Sequence, residues 1–153
     1  MQKIYPMLWF DNQAEEAANF YVSIFSNSKI TAIARTTEAG PGPAGTVLTV
    51  EFQLDGVDFT ALNAGPLFKF NEAVSFVIDC GTQDEVDYYW DKLLQGGEPS
   101  ACGWLKDKYG LSWQVTPRML PELLKGKDKA RAGRVMQAMM KMVKLDIKTL
   151  EEA

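Results

Sequence analysis

Few side chains in this chain could carry out chemistry, because its 153 residues include no histidine. General acid or base catalysis would therefore fall to carboxylates, cysteine, lysine or tyrosine. Two candidate catalytic residues follow: Asp58, beside a predicted hairpin turn, and Cys102, in a predicted strand that also carries Trp104 and Lys106 on the same face. For Asp58 we favour the alternative of a solvated residue next to the turn, and Cys102 could equally be a small buried hydrophobe beside a core aromatic. The sequence leaves both interpretations open.

Two stretches that would position such residues have the same pattern 69 residues apart. Phe20-Tyr21 lies on a predicted helix with an acidic first turn that follows an apolar strand, and Tyr89-Trp90 lies on a second helix of the same kind. A strand and an acidic-capped helix repeated at so long a period suggest a duplicated supersecondary unit.

The first copy is predicted to form a β-α-β-β-β unit. Asn12, with Glu15 three residues later, predicts the start of its helix. Asp55-Gly56 is a strong hairpin signal between its last two strands. Strands are predicted at 3–10, 29–37, 46–54 and 57–62.

The second copy repeats this order, although its third strand is hard to place. Thr82 with Glu85 forms a capping box, and Gly96-Gly97 ends the helix. Strands are predicted at 73–79, 100–106 and 111–116.

Composition limits the class of protein. A hydrophobic content of 46% and a charged content of 24% are typical of one compact soluble domain, here residues 1–153. No apolar run is long enough to span a membrane and no signal peptide is evident, so we expect a cytoplasmic protein with two reduced thiols. The net charge of −4 divides into an acidic body and a basic tail. The acidic body argues against nucleic-acid or membrane partners.

Beyond Pro117 the chain becomes helical, and residues 128–150 are predicted as one helix. Its Met-rich stripe favours packing within the subunit or across a homodimer, with Met136, Met139 and Val143 buried. The stripe comprises Ala132, Met136, Met139, Met140, Val143, Ile147 and Leu150.

Short motifs along nearly the whole chain resemble one family, the PhnB-like branch of the vicinal-oxygen-chelate superfamily. The resemblance implies an α+β fold in which two paired β-α-β-β-β modules form a curved-sheet cleft. We place module one at about 1–66, module two at about 72–117 and a helical tail at 118–153. The motifs are Trp9-Phe10-Asp11, Ala14-Glu15-Glu16-Ala17, Phe20-Tyr21, Ala61-Leu62-Asn63 with Gly65-Pro66, Cys102-Gly103-Trp104, Gly110-Leu111-Ser112-Trp113-Gln114, and Arg134-Val135-Met136-Gln137-Ala138-Met139 with Leu145-Asp146-Ile147.

The resemblance also implies where a metal would bind in relatives such as glyoxalase I. The corresponding positions are Ile4, Thr60, Ala73 and Gln114, of which only Gln114 is a plausible ligand. Zinc, nickel and iron sites of this kind rest on imidazole and carboxylate groups, so we predict no metal. Branch members often carry a demethylubiquinone methyltransferase label, but the Gly40–Gly45 loop lies between two strands rather than between a strand and a helix. We therefore predict no cofactor.

The resemblance places a ligand in the cleft. Our first hypothesis is a protein that binds a small, uncharged or aromatic molecule, because the predicted lining has few fixed charges. A metal-independent enzyme using Asp58 or Cys102 and a homodimeric interaction scaffold are the alternatives. The predicted ligand-binding residues are Thr60, Leu62, Ser75, Cys102, Trp104, Ser112 and Gln114.

Overall fold

The computed structural model describes residues 2–153. The chain divides into two compact units, the first ending at Lys69 and the second running from Phe70 to Ala153. The prediction that residues 1–153 form one domain, with a cleft between paired modules, stays a prediction.

The first unit is a four-stranded sheet with one helix. The strand order is β1-β4-β3-β2, with β1 parallel to β4 and the other pairs antiparallel. The helix packs on β3 and β4 through Ala17, Tyr21 and Ile24, which are buried. Its elements are β1 (Met7–Phe10), α1 (Ala14–Ile24), β2 (Lys29–Arg35), β3 (Val47–Leu54) and β4 (Val57–Asn63).

The second unit repeats this sheet and adds three helices at its end. The strand order is β5-β8-β7-β6, and β5 is again parallel to the last strand, β8. The two sheets thus share one topology, and the predicted α+β fold of two β-α-β-β-β modules with a C-terminal helical extension is confirmed. The module's elements are β5 (Ser75–Cys80), α2 (Gln83–Leu94), β6 (Glu98–Pro99), β7 (Trp104–Lys106) and β8 (Ser112–Pro117).

The two helices match at the offset that the sequence indicates. Tyr21 and Trp90, which are 69 residues apart, are both buried, and Phe20 and Tyr89 are both half-buried. Thr82 caps α2 as predicted, since its hydroxyl accepts a hydrogen bond from Glu85 N at 3.1 Å. The equivalent faces of both helices are therefore used for the core.

The first strand of each module begins later than predicted. Pairing in the first unit starts where Thr60 N donates to Pro6 O at 3.0 Å, and Ile4, with 87% of its surface exposed, lies outside the strand. Proline has no N–H to donate, so the chain ahead of it does not extend the ladder. Likewise β5 begins at Ser75, so Ala73 is not a strand residue.

The predicted cap of α1 by Asn12 is wrong. The N-cap is Gln13, whose side chain makes no capping hydrogen bond. Instead Asn63, at the end of β4, accepts from Ala14 N through Oδ1 at 2.8 Å and donates through Nδ2 to Val47 O at 3.1 Å. The amide of a neighbouring strand therefore satisfies one of the free N–H groups that every helix start leaves.

The tail contains three helices, α3 (Met119–Lys125), α4 (Lys129–Met140) and α5 (Ile147–Glu151), and residues 128–150, predicted as one helix, form the last two. Its small core consists of Leu120, Val135, Leu145 and Leu150. Met136 and Val143, predicted to be buried, are 40% and 51% exposed. Because α4 ends at Met140, its helical period does not continue into residues 143–150, and those residues reach the core from a separate element.

The tail is attached to the second module by backbone hydrogen bonds. Cys102 N donates to Met142 O at 2.9 Å, and Gly103 N donates to Val143 O at 2.8 Å. Gln83 of α2 donates through Nε2 to Leu145 O at 3.1 Å and accepts through Oε1 from Ile147 N at 2.8 Å. The turn before β7 and Gln83 of α2 therefore hold the tail in place together.

No helix within residues 2–153 combines the length and the apolar character needed to cross a membrane.

Candidate functional site

Each sheet has a second face, opposite its helix, which we call the helix-free face. On β8, Trp113 and Val115 are buried toward α2, while Ser112, Gln114 and Thr116 alternate with them. On β4 the same alternation places Asp58, Thr60 and Leu62 opposite the buried Phe59 and Ala61. All of the predicted ligand-binding residues on the last strands therefore lie on helix-free faces.

A polar row crosses all four strands of the second sheet. Glu98 pairs with Lys106, Lys106 with Ser112, and Ser112 with Ser75, so the four side chains share one face. Lys106 also forms a salt bridge with Glu72, which lies in the segment ahead of β5. One end of the row is thus charged, and the other carries two hydroxyl groups.

A pocket of about 180 Å³ lies over this row. Ser112 is 1% exposed, and its Oγ has no hydrogen-bond partner within the described part of the chain. Buried hydroxyl groups are normally paired, so this group marks a place where a ligand or water would complete the hydrogen bonding. The lining residues are Glu72, Glu98, Pro99, Ser100, Trp104, Leu105, Lys106 and Ser112. We call it the Ser112 pocket.

The neighbouring row brings the other predicted residues of this sheet together. Gln114 pairs with Trp104 on one side and with Val77 on the other. Its Nε2 donates to Ser75 Oγ at 2.9 Å, which fixes the orientation of the amide. Trp104, Ser112, Gln114 and Ser75 therefore form one continuous surface.

The first sheet has its own pocket, of about 300 Å³, on its helix-free face. Asp58 pairs with Gln53, whose Nε2 donates to Asp58 Oδ1 at 2.7 Å, and Gln2 N donates to Asp58 Oδ2 at 3.4 Å. Asp58 is therefore half-buried and held by two residues rather than simply solvated. The lining residues are Tyr5, Thr31, Glu51, Phe52, Gln53, Asp58, Phe59 and Thr60.

Leu62 lies one row further along the same sheet. It pairs with Trp9 on one side and with Thr49 on the other. The indole of Trp9 donates to Gly65 O at 2.9 Å, and the Phe68 ring meets it edge-on, with the ring centroids 4.8 Å apart. Leu62 thus belongs to an apolar patch beside the pocket rather than to its lining.

The two pockets occupy equivalent places in the two modules, a feature that the sequence did not reveal. Each includes the start of the last strand, at Asp58 in one unit and at Ser112 in the other. In each unit the segment ahead of the first strand reaches this place: Gln2 bonds to Asp58, and Glu72 bonds to Lys106. The duplication therefore extends from the fold to the candidate binding surface.

The expected position of Cys102 on the strand face of Trp104 is wrong. Cys102 lies in a turn ahead of β7, at a positive φ of 58°, and Gly103 follows at 84°. The turn closes where Trp104 N donates to Ala101 O at 3.1 Å. Two consecutive left-handed residues remove the chain from the strand, so strand alternation does not apply to Cys102. The other thiol, Cys80, is buried, and burial raises its pKa to about 12.

The residues at the positions implied for a metal do not fit one. Thr60 lies beside Met7, and Gln114 lies beside Val77 and Trp104, so carboxylate and imidazole ligands are missing there. Ile4 and Ala73 precede the strands. Residues 2–153 contain no cluster of three or more His, Cys, Asp or Glu side chains that could hold a metal ion.

The connections that would bind an adenosyl cofactor do not fit that group either. Such cofactors bind at glycine-rich turns between a strand and a helix of a mostly parallel sheet. Here β1 leads into α1 through Asp11, Asn12 and Gln13, and β5 leads into α2 through Gly81 and Thr82. Each sheet, moreover, has one parallel pair and two antiparallel pairs.

Comparison with known proteins identifies the relatives of this chain. A family model described as 3-demethylubiquinone-9 3-methyltransferase matches residues 2–116. The solved structure of a PhnB protein from Bacillus cereus is 41% identical, with 76% of this chain and 99% of that chain covered and a TM-score of 0.70. The match to the family model ends before the three tail helices. No match was found among curated proteins.

Two further solved structures share the fold at lower identity. Protein PA1353 from Pseudomonas aeruginosa is 17% identical, with 76% of this chain and 98% of that chain covered and a TM-score of 0.62. The fosfomycin resistance protein FosX from Listeria monocytogenes, complexed with Mn(II) and sulfate ion, is 14% identical, with coverages of 82% and 98% and a TM-score of 0.56. At such identities the likeness concerns the fold alone.

Proposed function

This chain belongs to the 3-demethylubiquinone-9 3-methyltransferase family, the PhnB-like branch of the vicinal-oxygen-chelate superfamily, and from that premise we propose that it binds a small, uncharged or aromatic molecule on the helix-free faces of its sheets. The observation that carries the proposal is the unpaired, buried Ser112 Oγ in a pocket with Trp104 in its lining. A ligand that offers a hydrogen bond would satisfy that group and cover the indole.

The composition of the surface supports a neutral ligand. Ser75, Ser112 and Gln114 carry no charge, and Lys106 is already paired with Glu72. Burying an anion or a cation among hydroxyl and amide groups would leave its charge poorly compensated. The surface therefore favours ligands that combine a polar group with an apolar or aromatic body.

Binding can be tested by saturation-transfer NMR with a library of small aromatic molecules, uncharged and charged. We expect uncharged members to bind and Gln114→Leu to weaken that binding, because this change removes the amide beside Ser75. Gln137→Leu, the same change at an exposed position of α4, is the matched control. Preferential binding of small acids, with Gln114→Leu indifferent, would contradict the proposal.

We further propose that this binding needs no transition metal. The support is the donor set: neither the implied positions Ile4, Thr60, Ala73 and Gln114 nor Met7 and Val77, which pair with Thr60 and Gln114, offer an imidazole or a carboxylate. Elemental analysis after mild purification tests this. About one zinc, nickel, iron or manganese per chain would overturn it.

A metal-independent enzyme is the second candidate, and the position of Asp58 favours it. Its carboxylate lines a pocket with Glu51 and Tyr5, and the bond from Gln53 holds it in a defined orientation. A carboxylate so placed could act as a general base. If the protein is such an enzyme, Asp58→Asn should abolish turnover of a bound substrate and leave its binding intact. A protein that only binds would show no turnover in either form.

We retain two further predictions as proposals, a homodimer and a cytoplasmic location. Met136, Met140 and Val143 of the tail are 40%, 66% and 51% exposed, and apolar groups so exposed are candidates for a contact between copies. Light scattering after size exclusion would detect the dimer, and a monomer at all concentrations would contradict it.

A further inference from the structure

The Ser112 pocket has a chemical character that narrows the ligand further. Its interior is formed by the Ser112 hydroxyl and the half-buried Trp104, whose side chains lie on the helix-free face. A volume of about 180 Å³ could hold roughly six water molecules at their share of liquid volume. One aromatic ring with a single polar substituent is of that size.

The charged groups around the pocket are two carboxylates and one ammonium group, and the ammonium group is already paired. Glu72 forms a salt bridge with Lys106, and this hydrogen bond lowers the pKa of Glu72 and raises that of Lys106, so both groups are ionised at neutral pH. Glu98 is the cross-strand partner of Lys106 on its other side. Two carboxylates therefore face one ammonium group, and the rim repels an anion. A cation would be attracted to this rim, but inside the pocket it would exchange its water for one hydroxyl group and an indole face.

The equivalent pocket of the first unit differs at the decisive position. Asp58 stands where Ser112 stands in the second unit, and Gln53 and Gln2 both donate to its carboxylate. That group already has hydrogen-bond partners, whereas the Ser112 hydroxyl has none among residues 2–153. Of the two pockets, the Ser112 pocket is thus the one with a buried hydroxyl group that a ligand could pair.

We propose that the Ser112 pocket binds the hydroxyl or amide group of an uncharged aromatic molecule, with Ser112 Oγ as the hydrogen-bond partner and Trp104 in contact with the ring. This inference rests on the proposed binding function and adds its substrate class. Ser112 would be the residue that selects for the polar group, and the Glu72–Lys106–Glu98 cluster would exclude acids.

The test compares four probes of nearly equal size on the full chain: benzyl alcohol, toluene, benzylamine and benzoate. Chemical-shift titration of the amide resonances would give both the affinity and the place of binding. We expect benzyl alcohol to bind about three- to tenfold more tightly than toluene, the usual gain for one hydrogen bond. Benzoate and benzylamine should both bind more weakly than benzyl alcohol.

Ser112→Ala should remove the difference between benzyl alcohol and toluene, because both then meet a methyl group. Ser26→Ala, at an exposed turn, is the control and should preserve that difference. The alanine variant should fold, since replacing an unpaired buried hydroxyl leaves no broken bond.

The outcomes separate this inference from the function on which it rests. An unchanged preference for benzyl alcohol in Ser112→Ala, or tighter binding of either charged probe, would overturn the subsite. If the probes still bound at Gln114 and Trp104 in that case, the proposed function would stand. If no probe shifted any resonance of the helix-free faces, both would fall.

Discussion

Asp58 and Ser112 hold the same position on the last strand of their respective modules, but the first is a bonded carboxylate and the second an unpaired hydroxyl. Asp58 accepts from Gln53, its cross-strand neighbour, while the neighbour of Ser112 is Lys106, which is bound to Glu72. The duplication has therefore preserved the backbone frame while the chemistry of the two surfaces has diverged. A ligand on the helix-free face of one module would therefore meet different groups from a ligand on that of the other.

The cap of α1 is supplied by a side chain of a distant strand, and this assignment can be tested with two substitutions. Asn63→Ala would leave Ala14 N and Val47 O without their partners and should lower the free energy of unfolding by about 1–2 kcal/mol, as removal of an N-cap does. Asn12→Ala, at the residue that the sequence favoured as the cap, should change it by less than about 0.5 kcal/mol. Urea unfolding measures both, and equal effects would contradict the assignment.

Gly103 should be intolerant of any side chain. A Cβ there would lie 2.8 Å from Leu145 Cδ1 and 2.9 Å from Val115 O, at a φ of 84°. Gly103→Ala should therefore cost about 1–3 kcal/mol beyond the backbone strain alone. Gly110→Ala is the control, because Gly110 has a φ of 88° and nothing within 4 Å of its Cβ position. The free energies of unfolding can be measured by chemical denaturation. Similar losses for the two variants would show that contact with Leu145 of the tail is not what excludes a side chain at Gly103.

The tail core should depend on Val135 and not on Met136. Val135→Ala removes a fully buried side chain from the cluster with Leu120, Leu145 and Leu150, and should cost about 1–3 kcal/mol. Met136→Ala, on the exposed side of the same helix, should leave the free energy of unfolding of the monomer nearly unchanged. If the homodimer uses that side, Met136→Ala should instead weaken dimerisation, which sedimentation measures. A larger loss of stability for Met136→Ala than for Val135→Ala would contradict this assignment and favour the buried Met-rich stripe that the sequence predicted.

Attachment of the tail to α2 should weaken in acid. The hydrogen bond from Lys144, with one from Gln83, lowers the pKa of Asp87 below the usual value for an aspartate. A carboxyl with a depressed pKa stabilises the fold above its unfolded pKa, and that contribution is lost as pH falls through the folded value. Asp87→Asn should therefore be less stable than the parent at pH 7, and the gap should close toward pH 2. A gap that persisted at low pH would exclude this ion pair as its source.

The sequence alone determined the features that depend on neighbours along the chain. The 69-residue offset between Tyr21 and Trp90 predicted two modules of one topology, and the alternation on β8 placed Ser112 and Gln114 on the face opposite the buried Trp113. The predicted cap at Thr82 is confirmed because it too depends on a neighbour along the chain: its partner, Glu85, is three residues away. Such patterns report which side of an element is buried, and that is a local property.

Only the tertiary structure decided which distant groups meet. Asn63 caps a helix 49 residues before it, and the turn at Cys102 bonds to Met142. The unpaired state of Ser112 depends on every element around it, and no spacing along the chain predicts it. The tail differs from its prediction because α4 ends at Met140. Leu145 and Leu150 lie beyond that end and approach the core from another direction. Periodicity fixes the face of a residue only while one helix continues; the partner across the core is chosen by packing in three dimensions.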